Sequence, residues 1–93
     1  MKPEDIESLI KRMAGLQNYF GREAKDMARR FGVPLDAQGN FDCDARAAIA
    51  IREATKHGYQ AKTAVQFLAG QKPHRYVVLE KDGVKTSILR VPE

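Results

Sequence analysis

Across the first third of the chain, Ile6, Leu9, Ile10, Met13, Leu16, Phe20, Ala24, Met27, Ala28 and Phe31 recur at spacings of three and four. At 100° per residue these positions fall within one stripe about 120° wide, the pattern of an amphipathic helix. The phase does not slip, so the spacing predicts one continuous helix over residues 3–31. Both ends agree with it. Pro3 suits a first helical turn, where a missing N–H costs nothing, and Glu4, Asp5 and Glu7 complement the positive end of the helix dipole. Arg29 and Arg30 sit at the negative end, and Gly32-Val33-Pro34 reads as a left-handed glycine cap followed by a stop. Gly15 and Gly21 fall inside this stretch, each costing about 1 kcal/mol relative to alanine. They read as tolerated weak points or a break between residues 15 and 21, or else as a bend or a close approach by a partner.

Residues 32–42 are rich in turn formers and read as a loop. Asp42 or Asp44 then caps a second helix over residues 43–57, whose Ala45, Ala47, Ala48, Ile49, Ala50, Ile51 and Ala54 put apolar surface around most of its circumference. A small-sided helix of that kind belongs at the centre of a fold. His57-Gly58 ends it. Ala61, Ala64, Val65 and Leu68 then share a helical face, which predicts a third helix over residues 59–69. Residues 75–91 read as a β-hairpin, because Asp82-Gly83 supplies the two positive φ angles of a two-residue turn. Counting outward from that turn pairs Lys81 with Val84, Glu80 with Lys85, Leu79 with Thr86, Val78 with Ser87 and Val77 with Ile88. The face bearing Val77, Leu79, Val84 and Ile88 is the one expected to be buried. The expected fold is therefore mainly α with a C-terminal β-hairpin (α+β), a single domain over residues 1–93 in which a long N-terminal helix is packed by two shorter helices. At 1.5 Å per residue the long helix measures about 42 Å and the two shorter ones together about 39 Å, so they match in length; pairing of two long helices in a homodimer is the rival way to cover the stripe.

Ninety-three residues bury a thin core, and a hydrophobic content of 43% against 30% charged residues belongs to an ordinary globular chain rather than a disordered one. No apolar run approaches the length of a membrane span, no apolar secretory core follows Met1, and the single cysteine, Cys43, cannot form an internal disulfide. These features lead to the expectation of a cytoplasmic protein with no membrane partner.

Catalytic chemistry is not advertised. His57 and His74 lie at a helix end and in a basic linker, and Cys43 is flanked by Asp42 and Asp44, an electronegative setting unlike that of a nucleophilic thiol. One cysteine and two scattered histidines give no metal-ligand spacing. The alternating oxygen-bearing residues of Asp36 to Asp44 faintly resemble a calcium loop, but Phe41 stands where its glycine belongs and Ala47 where its glutamate belongs. No glycine-rich phosphate loop is present. The expectation is a protein that is not an enzyme and needs no metal or cofactor.

The charge distribution points to partners instead. The net charge of +4 divides into +2 over residues 1–31, −1 over residues 32–58 and +3 over residues 59–93. Lys11, Arg22, Lys25 and Arg29 share the polar side of the long helix, while Lys62, Lys72, His74, Arg75, Lys81, Lys85 and Arg90 crowd the hairpin and the segment before it. Helices followed by a basic hairpin have the general plan of a winged helix. The ten residues Ala24-Lys25-Asp26-Met27-Ala28-Arg29-Arg30-Phe31-Gly32-Val33 resemble the first helix and turn of a helix-turn-helix, although about ten loop residues replace the prompt recognition helix of that motif. The first expectation is a small regulatory protein that binds nucleic acid through Lys62, Gln66, Lys72, Arg75, Lys81, Lys85 and Arg90, with an affinity for duplex DNA that falls steeply with salt. The second is a protein-binding adaptor or inhibitor, of the kind mobile genetic elements encode. There the hairpin adds strands to a partner's sheet, or Tyr76 and Leu89, paired on its outward face, anchor an interface.

Overall fold

Two backbone positions with positive φ break the expected long helix. In the computed structural model, which describes residues 1–92, Gly15 (φ 70°) ends helix α1, Pro3–Ala14, and Gly21 (φ 57°) opens helix α2, Gly21–Phe31. The Gly15 N–H still donates to the Lys11 carbonyl at 2.9 Å, but ψ then swings to −175° and the chain leaves the helix. The single helix over residues 3–31 is thus overturned. Periodicity cannot see the break, because both short helices turn apolar positions toward one core. Leu16 and Phe20, which the helical stripe placed inward, are 70% and 63% exposed, while Tyr19 turns inward beside Phe41. The connector is held by backbone bonds in both directions between Tyr19 and Phe41, the centre of an isolated antiparallel bridge.

Gly32 takes the left-handed cap conformation its place in the sequence requires (φ 65°, ψ 39°). Asp36 Oδ1 accepts the N–H groups of Gln38 and Asn40, so turn formation accounts for that residue. Helix α3, Cys43–Lys56, begins with the Asp42 side chain accepting the Asp44 N–H and ends in a Schellman turn, with Gly58 N–H on the Thr55 carbonyl and Tyr59 N–H on the Ala54 carbonyl.

That turn throws the chain into a strand. The expected third helix is overturned: β1, Gln60–Gln66, pairs antiparallel over seven residues with β2, His74–Lys81, from Gln60 opposite Glu80 to Gln66 opposite His74. Ala61, Ala64, Val65 and Leu68 satisfy a helical spacing, but the backbone pairing open to the segment on β2 outweighs a propensity difference of about 1 kcal/mol. Strand β3, Val84–Ile88, completes a sheet of order β1-β2-β3. The β2–β3 register is the one counted from the turn, and Asp82 and Gly83 both have positive φ. The hairpin is therefore not a separate C-terminal ribbon but two thirds of a three-stranded sheet.

Strand alternation sends Val77, Leu79 and Ile88 to one face, where they meet Ala47, Ile49, Ala50 and Ala54 of α3 and Ile6, Ile10 and Ala14 of α1. The small side chains of α3 let it pack closely on β1 and β2, with α1 beside it against α3 and β3. Phe41 is fully buried, with Tyr19 edge-on at 5.8 Å and Phe31 at 6.4 Å. Val84, expected in the core, is exposed because its side of the ribbon is uncovered at the turn. The result is a two-layer fold with helices on one sheet face only. No helix among the described residues is long and apolar enough to cross a membrane.

Candidate functional site

The uncovered sheet face is assembled by register. Gln60, Lys62, Ala64 and Gln66 of β1 share it with His74, Tyr76, Val78 and Glu80 of β2 and with Lys85 and Ser87 of β3. One rung reads Lys62–Val78–Ser87, the next Gln60–Glu80–Lys85, and Ala64 pairs with Tyr76. None of these residues belongs to the hydrophobic core, and Lys62, Lys85 and Ser87 are exposed. Glu80 is the face's one acidic residue among those described, and the ion pairs among the described residues do not include it.

The chain beyond β3 folds back over one end of this face. Leu89 adopts φ 64°, a left-handed value unusual for a branched side chain, and three side chains hold the turn. Its N–H donates to Glu7 Oε2, its carbonyl contacts His74 Nε2 at 2.8 Å, and the Gln66 amide bonds both the N–H and the carbonyl of Val91, at 3.1 and 2.8 Å. Arg90 is thereby laid over the Tyr76 ring, its guanidinium carbon 5.2 Å from the centroid.

The seven residues singled out from the sequence therefore separate. Lys62, Lys85 and Arg90 share the open face with Tyr76. Gln66 is 4% exposed, and both ends of its amide fasten the tail. Lys81 lies on the helix side, 5.1 Å over the Tyr59 ring and with Nζ 3.4 Å from the His57 carbonyl at the end of α3. Arg75 also points to the helix side, donating to Asp44 at 2.7 Å and to Thr63 at 3.1 Å. Lys72 is exposed in the β1–β2 connector. The basic strip on the long helix is dissolved by the break: Lys11 remains on α1, 3.6 Å from Glu7, while Arg22, Lys25 and Arg29 ride on α2. Tyr76 and Leu89 are not register partners, since β3 ends at Ile88.

Below the tail, α1, α3 and the start of β2 enclose a cleft of about 340 Å³. Arg46 projects into this region from α3, only 8% exposed, with one terminal nitrogen 2.6 Å from the Gln17 carbonyl and the other 2.9 Å from Asn18 Oδ1. It anchors the α1–α2 connector. Burial holds its pKa below the ordinary arginine value, opposed by the nearby Cys43 and Asp42. Burial and then the Asp44 charge push the Asp42 carboxyl above its ordinary value, partly offset by the Asp44 N–H bond. Cys43 is half-buried and accepts the Arg75 N–H. The described residues contain no cluster of three or more His, Cys, Asp and Glu side chains able to hold a metal. Sequence reasoning passed over Arg46, although an arginine inside an alanine-rich helix that is apolar nearly all round was its visible signal.

Comparison with protein-family models, with curated proteins and with solved structures returned no match.

Proposed function

We propose that this chain is a non-enzymatic binding protein for single-stranded nucleic acid, which it takes on the open face of its sheet. The observation that carries this reading is the Tyr76–Arg90 stack on a bare sheet face that also displays Lys62 and Lys85. Unpaired bases stack on aromatic rings and on guanidinium planes, while flanking lysines follow the backbone. At about 3.4 Å per residue the Lys62 rung lies about 7 Å along the strand from Tyr76 and the Lys85 rung about 14 Å, a track rather than a point. An open sheet face of this kind suits single strands better than the major groove of a duplex, and no helix follows α2 promptly enough to act as a recognition helix.

Fluorescence anisotropy with a labelled oligo-dT at 50 mM salt tests the reading. Binding is expected, with Tyr76→Ala weakening it by about 1–3 kcal/mol, or roughly five- to 150-fold. Absence of binding at that salt overturns it. A protein-binding adaptor is the second reading, and one observation favours it: Phe67, 79% exposed, follows the edge strand β1, where an extended partner segment has unpaired backbone to join. Partner capture that is lost in Phe67→Ser and kept in Tyr76→Ala selects that reading.

A further inference from the structure

Strand β1 forms one edge of the sheet, and the described residues place no strand on its outer side. Folded chains blunt such edges with prolines, bulges, charges, short strands or a covering segment. The opposite edge is blunted: β3 is five residues long, and the turn after it commits the Leu89 N–H to Glu7. β1 is not. Its seven residues carry no proline and a single charge, Lys62, and their pairing with β2 runs from Gln60 to Gln66 without a bulge. Alternate residues of an antiparallel strand turn both N–H and C=O outward, so this edge offers a regular row of donors and acceptors.

The side chains beside that row match themselves. Ala61, Thr63 and Val65 lie on the helix side of β1, yet Val65 is 38% exposed, and Phe67 just beyond the strand is 79% exposed. A second copy laid antiparallel, with Thr63 at the two-fold axis, uses all seven rungs. Val65 then falls opposite Ala61 of the second copy, Gln60 opposite Gln66, and Lys62 opposite Ala64, so no charge directly faces a like charge. One position beyond each end, Phe67 falls opposite Tyr59, which packs against the core. A slip of two residues loses two rungs. In one direction it sets Lys62 against its own copy, and in the other it draws Phe67 away from Tyr59.

We propose that the chain pairs with a second copy of itself along β1, forming a six-stranded sheet about a two-fold axis through Thr63. The self-match over the full strand length selects a second copy over an extended segment of another protein. An axis perpendicular to the sheet keeps both helix layers on one side and joins the two open faces into one. The Lys62 side chains of the two copies then sit on a diagonal of about 7–8 Å, so each copy contributes a cation to the other's open face. The pairing itself does not rest on strand binding by that face.

Sedimentation velocity of the intact chain over roughly a hundredfold range of concentration, together with cross-linking, tests it. A reversible monomer–dimer equilibrium is expected. Val65→Lys, at an exposed position, is expected to weaken the dimer about tenfold or more while leaving the circular dichroism of the monomer unchanged. In a Cys43→Ser background, Thr63→Cys is expected to link to itself with a short thiol-specific cross-linker. Ala61→Cys and Val65→Cys are expected to link to each other when mixed, far more than either does alone. A monomer at every concentration overturns the proposal and leaves the edge to another protein's segment. A dimer that Val65→Lys does not weaken, or one in which Ala61→Cys or Val65→Cys links alone as readily as Thr63→Cys, also overturns it. A dimer with the expected cross-links that fails to bind oligo-dT overturns only the earlier reading.

Discussion

Raising monovalent salt from 50 to 200 mM is expected to weaken oligo-dT binding by the sheet face about 20-fold. The figure follows from three cations on that face, Lys62, Lys85 and Arg90. Each phosphate neutralised on a single strand contributes about 0.7 to the slope of log K against log salt, so three give about −2.1, which over a fourfold change in salt is about 20-fold. Lys85→Gln removes one cation at an exposed position, and its slope should fall to about −1.4, leaving about a sevenfold change over the same range. Anisotropy titrations at five salt concentrations, fitted for slope rather than for a single Kd, measure both quantities. A wild-type slope shallower than −1, or a Lys85→Gln slope equal to the wild type, refutes the reasoning, because the lysine would then not touch phosphate.

Gly15→Ala and Gly21→Ala distinguish two helices from one. In a continuous helix each would stabilise by about 1 kcal/mol, whereas at φ 70° and 57° each is expected to destabilise by about 1–2 kcal/mol in urea unfolding. Gly15→Ala should be the worse, since its Cβ would meet Tyr19 Oη at 2.7 Å while Gly21 has open space around it. Phe41→Ala should cost about 3–5 kcal/mol, and a Tyr19→Leu, Phe41→Leu double-mutant cycle should show about 0.5–1.5 kcal/mol of coupling from their edge-on contact; coupling near zero removes the ring pair as the connector's anchor. Asp42→Asn keeps an acceptor for the Asp44 N–H without the charge. Because the folded pKa of Asp42 is raised above the ordinary 3.8, the native state holds its proton more tightly than the unfolded chain, so ionised Asp42 opposes folding above the folded pKa. That opposition fades as pH falls through the folded value and is gone below the unfolded one. Thermal melts should therefore find Asp42→Asn more stable than wild type at pH 7, with the gap narrowing on acidification; a widening gap contradicts the assignment.

Local signals with a single physical cause were legible. Pro3 opens α1, Gly32 caps α2, Asp42 caps α3, and Asp82-Gly83 sets the β2–β3 register, each because one residue's backbone or side-chain chemistry decides the matter nearby. Signals that depend on what lies across the fold were not. A residue spacing of three and four says which side a helix buries but not whether six intervening residues leave the helix and return in phase, as residues 15–20 do. The alanine-containing segment from Gln60 to Gln66 becomes a strand only because β2 is there to pair with it. The basic character of the last third was plain, yet Lys62 and Lys85 could be separated from Lys81 and Arg75 only by knowing which sheet face the helices cover. Gln66 shows the same limit, since its partner Val91 lies 25 residues away.

The contact between Glu7 and Leu89 joins positions 82 residues apart. Closing so large a ring costs roughly 3 kcal/mol more chain entropy than closing a hairpin turn. Such a contact forms late in folding, after the β2–β3 ribbon and α3 exist to bring its ends together. It is also made by a side chain rather than by a strand ladder, so it can let go while the ladder stays zipped. Leu89 and Val91 are thus expected to be the latecomers and the early leavers of this molecule, and their amides should trade protons with water sooner than those of Val77 and Leu79 beneath them.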